Sequence, residues 1–290
     1  MASWDDILVE LGTVPGQLDF LRTKYLNELS TYTGRNTIAY YSAFLNKQAV
    51  GMDVNDSDMN GFMNAVRGMD CSRGLDIILH TPGGSPVAAE AIVKYLRKKF
   101  GTDIRAIVPQ LSMSAGTMMA CAAKEIVMGA HSSLGPIDPQ FNGIPAYSIL
   151  KEFNDAKEDL SKNPNNLGYW SIVLQKYPAA FVYRAQEAID LSGELVKNWL
   201  KTGMFKDDPG RAEGITENLN EHEQSKEHGR HFDAEYCKNI GLKITDLELD
   251  QQLQDKVLSV HHAFMITFGS SKSAVKIIQN ASHSWVINAN

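Results

Sequence analysis

Ser114 stands between a β-branched run, Ile104 to Val108, and a stretch of small residues that begins Ala115-Gly116-Thr117. This order predicts a strand, a sharp turn at the serine and a buried helix. Backbone amides at a helix start have no acceptor within the helix, so they point outward beside such a serine. The position therefore suits a nucleophile whose attack on a carbonyl creates an oxyanion. The competing interpretation is an ordinary helix cap.

A second turn, Gly83-Gly84, lies upstream at the end of another apolar run, Leu75 to Leu79. Glycine lets backbone N–H groups face a ligand because no Cβ stands in the way, so the pair suits an oxyanion hole. A plain tight turn is the alternative. Ser114 is not the Gly-x-Ser-x-Gly elbow of α/β-hydrolases, because Ser112 fills the first glycine position. The two turns together indicate chemistry more strongly than either alone.

The segments around these turns alternate between strand and helix patterns. In order, we predict a strand over 37–44, a helix over 56–69, a strand over 75–79, a helix from 85 or 86 to 99, a strand over 104–108, a helix over 118–123 and a strand over 126–128. This order predicts the α/β class, with right-handed βαβ units and a mostly parallel sheet.

The flanking segments divide the chain into three parts. Residues 1–34 form a helical N-terminal arm broken near Gly12 to Gly16, residues 35–245 form the main domain, and residues 246–290 form a C-terminal helix and a tail that could add strands. Within the main domain, residues 201–230 are polar and are predicted to be irregular. The two arms carry more apolar residues than a compact core of βαβ units should need, which predicts a homo-oligomer.

Composition excludes several classes of function. The net charge is −6 and no Lys/Arg cluster stands out, so nucleic-acid binding is not predicted. No apolar run reaches the roughly 18 residues of a membrane span, and the acidic N-terminus lacks a signal-peptide pattern. Cys71, Cys121 and Cys237 show no pairing pattern, which is typical of reduced thiols in a cytoplasmic protein.

Three motifs resemble those of one known family. HTPGG, SMSAGT and LGPIDPQ are similar to motifs of the Clp-fold serine proteinases in the "serine dehydrogenase proteinase" group. They are more distantly similar to Clp protease, signal peptide peptidase A and NfeD-type proteases. The resemblance is close from about Leu75 to Lys157 and returns at GRHFDAEYCKNIGL, residues 229–242. It implies a crotonase-like Clp fold over residues 35–245 and a serine endopeptidase that acts on peptides or proteins; we expect no cofactor.

The resemblance also implies roles for individual residues. The serine that matches Ser114 attacks the peptide carbonyl, and the amides that match Gly84 and Ala115 hold the tetrahedral oxyanion. An extended substrate adds a strand beside the Gly-Gly turn.

The general base is where the sequence departs from Clp protease. The Clp histidine would fall in Ile137-Asp138-Pro139-Gln140, and the third triad residue would fall near Arg230. The signal-peptide-peptidase and NfeD relatives use a Ser–Lys dyad instead, in which desolvation keeps the lysine neutral. We predict Lys157 as the base, from candidates that also include Lys151, Lys162 and Lys176. A solvated residue on a charged helix is the competing interpretation.

The remaining polar residues receive weaker assignments. His231 and Lys151 are the alternative bases. His228, His231 and His222 lie near one another in sequence, but no third ligand has metal-site spacing, so no metal is predicted. Asp138 is predicted to form a turn or a subunit contact. A non-catalytic assembly protein and acyl-CoA chemistry on the same fold are the alternative functions, because a fold does not fix a function.

Overall fold

The computed structural model describes residues 3–13, 18–220 and 228–289. Most of the predicted break in the N-terminal arm, and His222, lie outside the described residues. The helices there are α1 Trp4–Thr13, α2 Leu18–Thr33, α3 Asp58–Val66, α4 Pro86–Phe100, α5 Ala115–Cys121, α6 Ala146–Lys162, α7 Leu167–Leu174, α8 Phe181–Thr202, α9 Ala212–Asn220, α10 Ala234–Asn239 and α11 Gln251–Ser270.

The strands are short and most are buried. They are β1 Asn36–Ser42, β2 Leu75–His80, β3 Ile104–Val108, β4 Leu111–Ser112, β5 Glu125–Met128, β6 Ser133–Leu134, β7 Gln140–Phe141, β8 Ile144–Pro145, β9 Ile244–Asp246, β10 Ala274–Gln279 and β11 Ser284–Asn288.

Seven of these strands form the main sheet, in the order β11-β10-β1-β2-β3-β5-β9. β1, β2, β3, β5 and β9 run parallel, whereas β10 and β11 join the edge of the sheet in antiparallel fashion. β1 and β2 are buried at every residue, as expected for parallel strands covered on both faces. The predicted α/β class with a mostly parallel sheet is confirmed. The division of the chain into three parts stays a prediction.

One face of the sheet packs on helices α3, α4, α5 and α8. Phe62 of α3, Ile92 and Leu96 of α4, Met118 of α5 and Trp199 of α8 belong to one buried apolar cluster with the inward side chains of the strands. α5 is buried at all of its residues, which its small side chains allow. Helix α5 is therefore fixed between the sheet and α8, and so is the turn that precedes it.

The other face packs on the terminal arms. Leu26 and Leu29 of α2 and Val257 and Phe264 of α11 form a second buried cluster with the sheet. The apolar residues from which we predicted a homo-oligomer are thus largely covered within one chain. The homo-oligomer stays a prediction, but the apolar composition of the two arms no longer supports it.

Helix α9 lies in the segment predicted to be irregular. Its buried residues Ala212, Ile215 and Leu219 recur at intervals of three and four, which is the spacing of an amphipathic helix. The prediction was wrong here because the polar residues between them dominated the composition. Leu219 matters for the site, since its carbonyl accepts a hydrogen bond from the Ile137 amide at 2.9 Å.

Within the described ranges, no helix combines the length and the apolar character needed to cross a bilayer. The same part of the chain holds no group of three or more His, Cys, Asp and Glu side chains arranged to bind a metal ion.

His80 ends β2 on the face covered by α11, where it is fully buried. Its ring lies against Phe44, Tyr41 and His261, with ring-centre distances of 4.9, 5.4 and 5.4 Å. Neither ring nitrogen has a hydrogen-bond partner among the described residues. Burial lowers the pKa of His80 to about 3. The pKa of His261 is also well below its usual value, because of burial and then the neighbouring His80.

We expect the chain to lose stability as the pH falls through the window between about 6.5 and 3, because unfolded His80 binds a proton that folded His80 does not. A His80→Phe substitution should remove about 1.4 kcal/mol of the change in unfolding free energy per pH unit within that window. Urea unfolding of both proteins between about pH 4 and pH 6 measures this slope. Equal slopes would show that His80 does not titrate on unfolding.

Candidate active site

Ser114 occupies the turn between β4 and α5 with an unusual backbone conformation. Its φ is 50° and its ψ is −116°, a region that L-residues other than glycine rarely adopt. Its side chain is half-buried, and within the described chain its hydroxyl makes no capping hydrogen bond to α5. Strained backbones of this kind occur where surrounding structure enforces them, often at active sites. The geometry leaves the Ser114 hydroxyl available for other partners.

Three hydrogen bonds fix this turn. The Gly116 amide donates to the Met113 carbonyl at 2.8 Å, and the Met118 amide donates to the Ser114 carbonyl at 3.0 Å. The Thr117 hydroxyl donates to the Ser112 carbonyl at 2.8 Å. The residues on both sides of the serine are therefore held, which maintains its strained conformation.

The Gly83-Gly84 turn lies directly against Ser114. Gly83 has a φ of +95°, and a Cβ added to it would lie 2.6 Å from the Ser114 Cβ and 3.0 Å from the Ala115 nitrogen. Position 83 thus requires glycine for two reasons, which are its positive φ and the close approach of Ser114. The two turns that the sequence singled out are neighbours in space.

The segment at Val54 sets the direction of the Gly84 amide. The Val54 amide donates to the Gly83 carbonyl at 2.7 Å, and the Ser85 amide donates to the Val54 carbonyl at 2.8 Å. In this parallel bridge Val54 bonds to the Gly83 carbonyl and to the Ser85 amide, which flank Gly84. The N–H of Gly84 itself therefore points away from Val54. Ala115, the first residue of α5, has no acceptor within the helix for its own N–H. These two amides are the predicted oxyanion donors.

A short ladder of four chain segments extends from the end of β2. Thr81 pairs with Ser112, Ser112 with Leu134, and Leu134 with Phe232. The first two pairings are parallel and the third is antiparallel. Three of the segments therefore leave the ladder at one end, after Thr81, Ser112 and Leu134. The fourth segment enters the ladder at that same end, before Phe232.

That end gathers the polar groups of the site. Ser114 follows β4 by two residues, Asp138 follows β6 by four, and His228 precedes Phe232 by four. The Thr117 hydroxyl accepts a hydrogen bond from the Gly135 amide at 2.9 Å, which ties the segment leading to Asp138 to helix α5. The segments that carry the serine, the aspartate and the histidine are thus anchored to one another.

Asp138 and His228 form a buried polar pair. The Asp138 carboxyl is fully buried, and its Oδ1 lies 2.8 Å from Nδ1 of His228, whose side chain is 27% exposed. A carboxylate removed from water requires such a partner. The pair combines a buried acid with a histidine whose ring remains partly open to solvent, which is how an acid orients a histidine base.

The predicted bases lie in a different environment. Lys157 is exposed on α6, as is Lys151, which pairs with Asp155 at 3.1 Å. His231 is exposed as well. A lysine base must be desolvated to be neutral near pH 7, so the burial that the Ser–Lys dyad requires is not found for Lys157 in the described chain.

A family model described as ClpP-like SDH-type serine proteinase matches residues 49–278, which is well over half of the chain. The chain belongs to this family. The match confirms the family expected from the three motifs, and the sheet with its βαβ units is the Clp fold of that family.

Two uncharacterized proteins of Methanocaldococcus jannaschii are similar to the ClpP-like chain. One is 35% identical over 142 residues, covering 47% of this chain and 48% of the relative. The other is 36% identical over 104 residues, covering 36% of this chain and 35% of the relative. The chain thus matches half or less of the length of either relative.

Sequence reasoning missed both members of the Asp138–His228 pair. Asp138 was predicted to form a turn or a subunit contact, and His228 was weighed only as a metal ligand. Yet they lie at or near the positions where the resemblance to Clp protease places the two triad residues after the serine. The signal was an exchange of residue types between those two positions, with the acid at the histidine position and a histidine near the acid position.

Gly83→Ala should destabilise the fold by more than the positive φ alone explains, because its Cβ would also collide with the Met113 carbonyl at 2.6 Å. Gly68→Ala is the matched control, since Gly68 has a φ of +77° and open space around its Cβ position. We expect about 1–2 kcal/mol of lost unfolding free energy for Gly68→Ala and about 1–3 kcal/mol more for Gly83→Ala. Denaturant unfolding measures both, and equal losses would contradict the close packing of the two turns.

Proposed function

We propose that this ClpP-like chain hydrolyses peptide bonds through an acyl-enzyme on Ser114, with His228 as general base and Asp138 as its orienting acid. The observation that carries the proposal is the 2.8 Å contact between His228 and the buried Asp138 at the end of the ladder from which Ser114 also emerges. Gly84 and Ala115 supply the oxyanion amides. His228 takes the place of Lys157 in this scheme.

The spacing of the ladder supports a contact between the side chains of His228 and Ser114. The segments of Ser112 and Phe232 are two ladder positions apart, which corresponds to about 9.6 Å. A serine side chain, a hydrogen bond of about 2.8 Å and an extended histidine side chain together span a comparable distance. This spacing supports a His228 side chain directed across the Gly135–Asp138 segment toward Ser114.

The chemistry follows from the donor and acceptor roles of these groups. An ionised Asp138 only accepts hydrogen bonds, so Nδ1 of His228 carries the hydrogen and Nε2 is left to accept the Ser114 proton. Ser114 Oγ then attacks the peptide carbonyl, and the Gly84 and Ala115 amides stabilise the oxyanion. The protonated histidine gives its proton to the leaving amine, and water, activated by the same histidine, releases the acyl group.

The Asp138–His228 pair also bears on the alternative functions. A non-catalytic assembly protein was considered because the Clp histidine is missing from its usual position, and His228 supplies a base from another segment. No feature of the described residues favours acyl-CoA chemistry. The peptidase is therefore the function that we carry forward.

A fluorophosphonate should label the wild-type protein at Ser114, because this reagent traps activated serines. Ser114→Ala should abolish the labelling with no change in the unfolding free energy beyond about 1 kcal/mol. Mass spectrometry of tryptic peptides identifies the labelled residue. Labelling of another serine, or none in the folded wild-type protein, would refute the assignment of Ser114.

His228→Gln should lower the labelling rate and kcat by roughly 10²- to 10⁴-fold, because it removes the base. His231→Gln is the matched control, since it removes an exposed histidine three residues away. This control and Lys157→Ala should each remain within about twofold of wild type. Rate constants for labelling and for cleavage of a fluorogenic peptide measure these effects. A loss confined to Lys157→Ala would instead establish the Ser–Lys dyad.

A further inference from the structure

A buried ion pair lies behind the Gly83-Gly84 turn, on the side away from Ser114. Lys276 of β10 and Asp58 of α3 are both fully buried, with Lys276 Nζ 2.7 Å from Asp58 Oδ1. Burial lowers the pKa of Lys276 and the Asp58 carboxylate opposes that effect. Removing two charges from water is costly, and hydrophobic residues of similar size would fill the same space.

The ion pair holds the backbone on both sides of Val54. Lys276 Nζ donates to the Asp53 carbonyl at 2.5 Å, and Asp58 Oδ2 accepts from the Asn55 amide at 3.0 Å. Val54 itself makes the two backbone hydrogen bonds that flank Gly84. The ion pair thus holds Val54 in place, and Val54 in turn holds the Gly84 turn through its two backbone hydrogen bonds.

A second path runs from the same carboxylate through side chains. The Tyr40 hydroxyl donates to Asp58 Oδ2 at 2.7 Å. The neighbouring Thr81 side chain opposes part of the rise that burial and Asp58 cause in the pKa of Tyr40. The Thr81 hydroxyl accepts a hydrogen bond from the Gly83 amide at 3.2 Å. Tyr40 and Thr81 are fully buried. The Asp58 carboxylate therefore orients the Tyr40 hydroxyl, which neighbours the Thr81 side chain that holds the Gly83 amide.

We propose that the Lys276–Asp58 pair, acting through Tyr40, Thr81 and Val54, is a positioning network that holds the Gly83-Gly84 turn so that the Gly84 amide faces the oxyanion. The inference rests on the proposed function for its catalytic consequence. None of the network residues needs to touch the substrate. Their contribution is to prevent the turn from rotating when charge develops on the carbonyl oxygen, since a preorganised donor needs no rearrangement during the reaction.

Tyr40→Phe is the variant that tests the network, because it removes only the hydroxyl that donates to Asp58. The ring that stacks on Phe62 at 5.7 Å is kept. Changing Asp58 or Lys276 alone would leave a buried charge unpaired and unfold the chain. Tyr41→Phe is the matched control. Tyr41 is the next residue of β1 and is equally buried, but its hydroxyl lies on the other face of the sheet, 3.4 Å from Nδ1 of His261.

We expect Tyr40→Phe to lower kcat and the fluorophosphonate labelling rate about tenfold with KM within about twofold, because the transition state is affected and substrate binding is not. Tyr41→Phe should leave all three within about twofold. Thermal unfolding of both variants corrects for differences in overall stability. Equal kinetic effects of the two variants would overturn the catalytic role of the network.

Amide hydrogen exchange tests the network without relying on activity. The amides of Val54 and Ser85 should exchange about tenfold faster in Tyr40→Phe than in Tyr41→Phe, because they make the bonds that flank Gly84. Equal exchange would overturn the proposal. A folded wild-type protein that does not react at Ser114 would refute the proposed function alone, and the exchange comparison would still decide whether the network holds the turn.

Discussion

The left-handed backbone of Ser114 is the constraint on which the rest of the site depends. A non-glycine residue in such a conformation costs about 1–3 kcal/mol and persists only when its surroundings enforce it. Here the enforcement comes from the hydrogen bonds made by Gly116, Thr117 and Met118, and from Gly83, which packs against the Ser114 Cβ. The site therefore cannot be separated from the ladder. The segments that hold the serine in place also carry Gly84, Ala115 and Asp138, to which we assign the oxyanion amides and the orienting acid.

Buried carboxylates show how the chain divides structural from chemical roles. Three are fully buried in the described residues. Asp58 pairs with Lys276, and Asp76 pairs with both Arg35 and Arg105. These basic partners compensate the buried negative charge in ion pairs. Asp138 instead faces a histidine, the residue type that gains and loses a proton near neutral pH. That difference separates Asp138 from the two carboxylates that stabilise the fold.

The sequence was sufficient for the core of the fold and for the two turns, because both depend on local patterns. Apolar runs at strand length, the helix between them, and Ser114 and Gly83 at strand ends are readable without tertiary information. Helix α9 was missed because three buried residues among polar ones give a weak signal. The Asp138–His228 pair was missed for another reason. Its members are 90 residues apart, and only the antiparallel pairing of Phe232 with Leu134 brings their segments to one end of the ladder.

The proposed exchange of acid and base along the chain has a simple physical basis. A serine triad is defined by geometry and by roles, so any order of the residues along the chain is permitted when the same groups meet. Asp138 lies on the segment next to the serine and is fully buried, whereas His228 enters from the outer segment and keeps part of its ring exposed. A buried position suits a carboxylate that has only to orient its partner. A partly open position suits the ring that must pass a proton to a leaving amine and then activate water. Because the outer segment runs antiparallel, the residues before Phe232 leave the ladder at the end from which Ser114 emerges, and the histidine is carried to the same end as the serine.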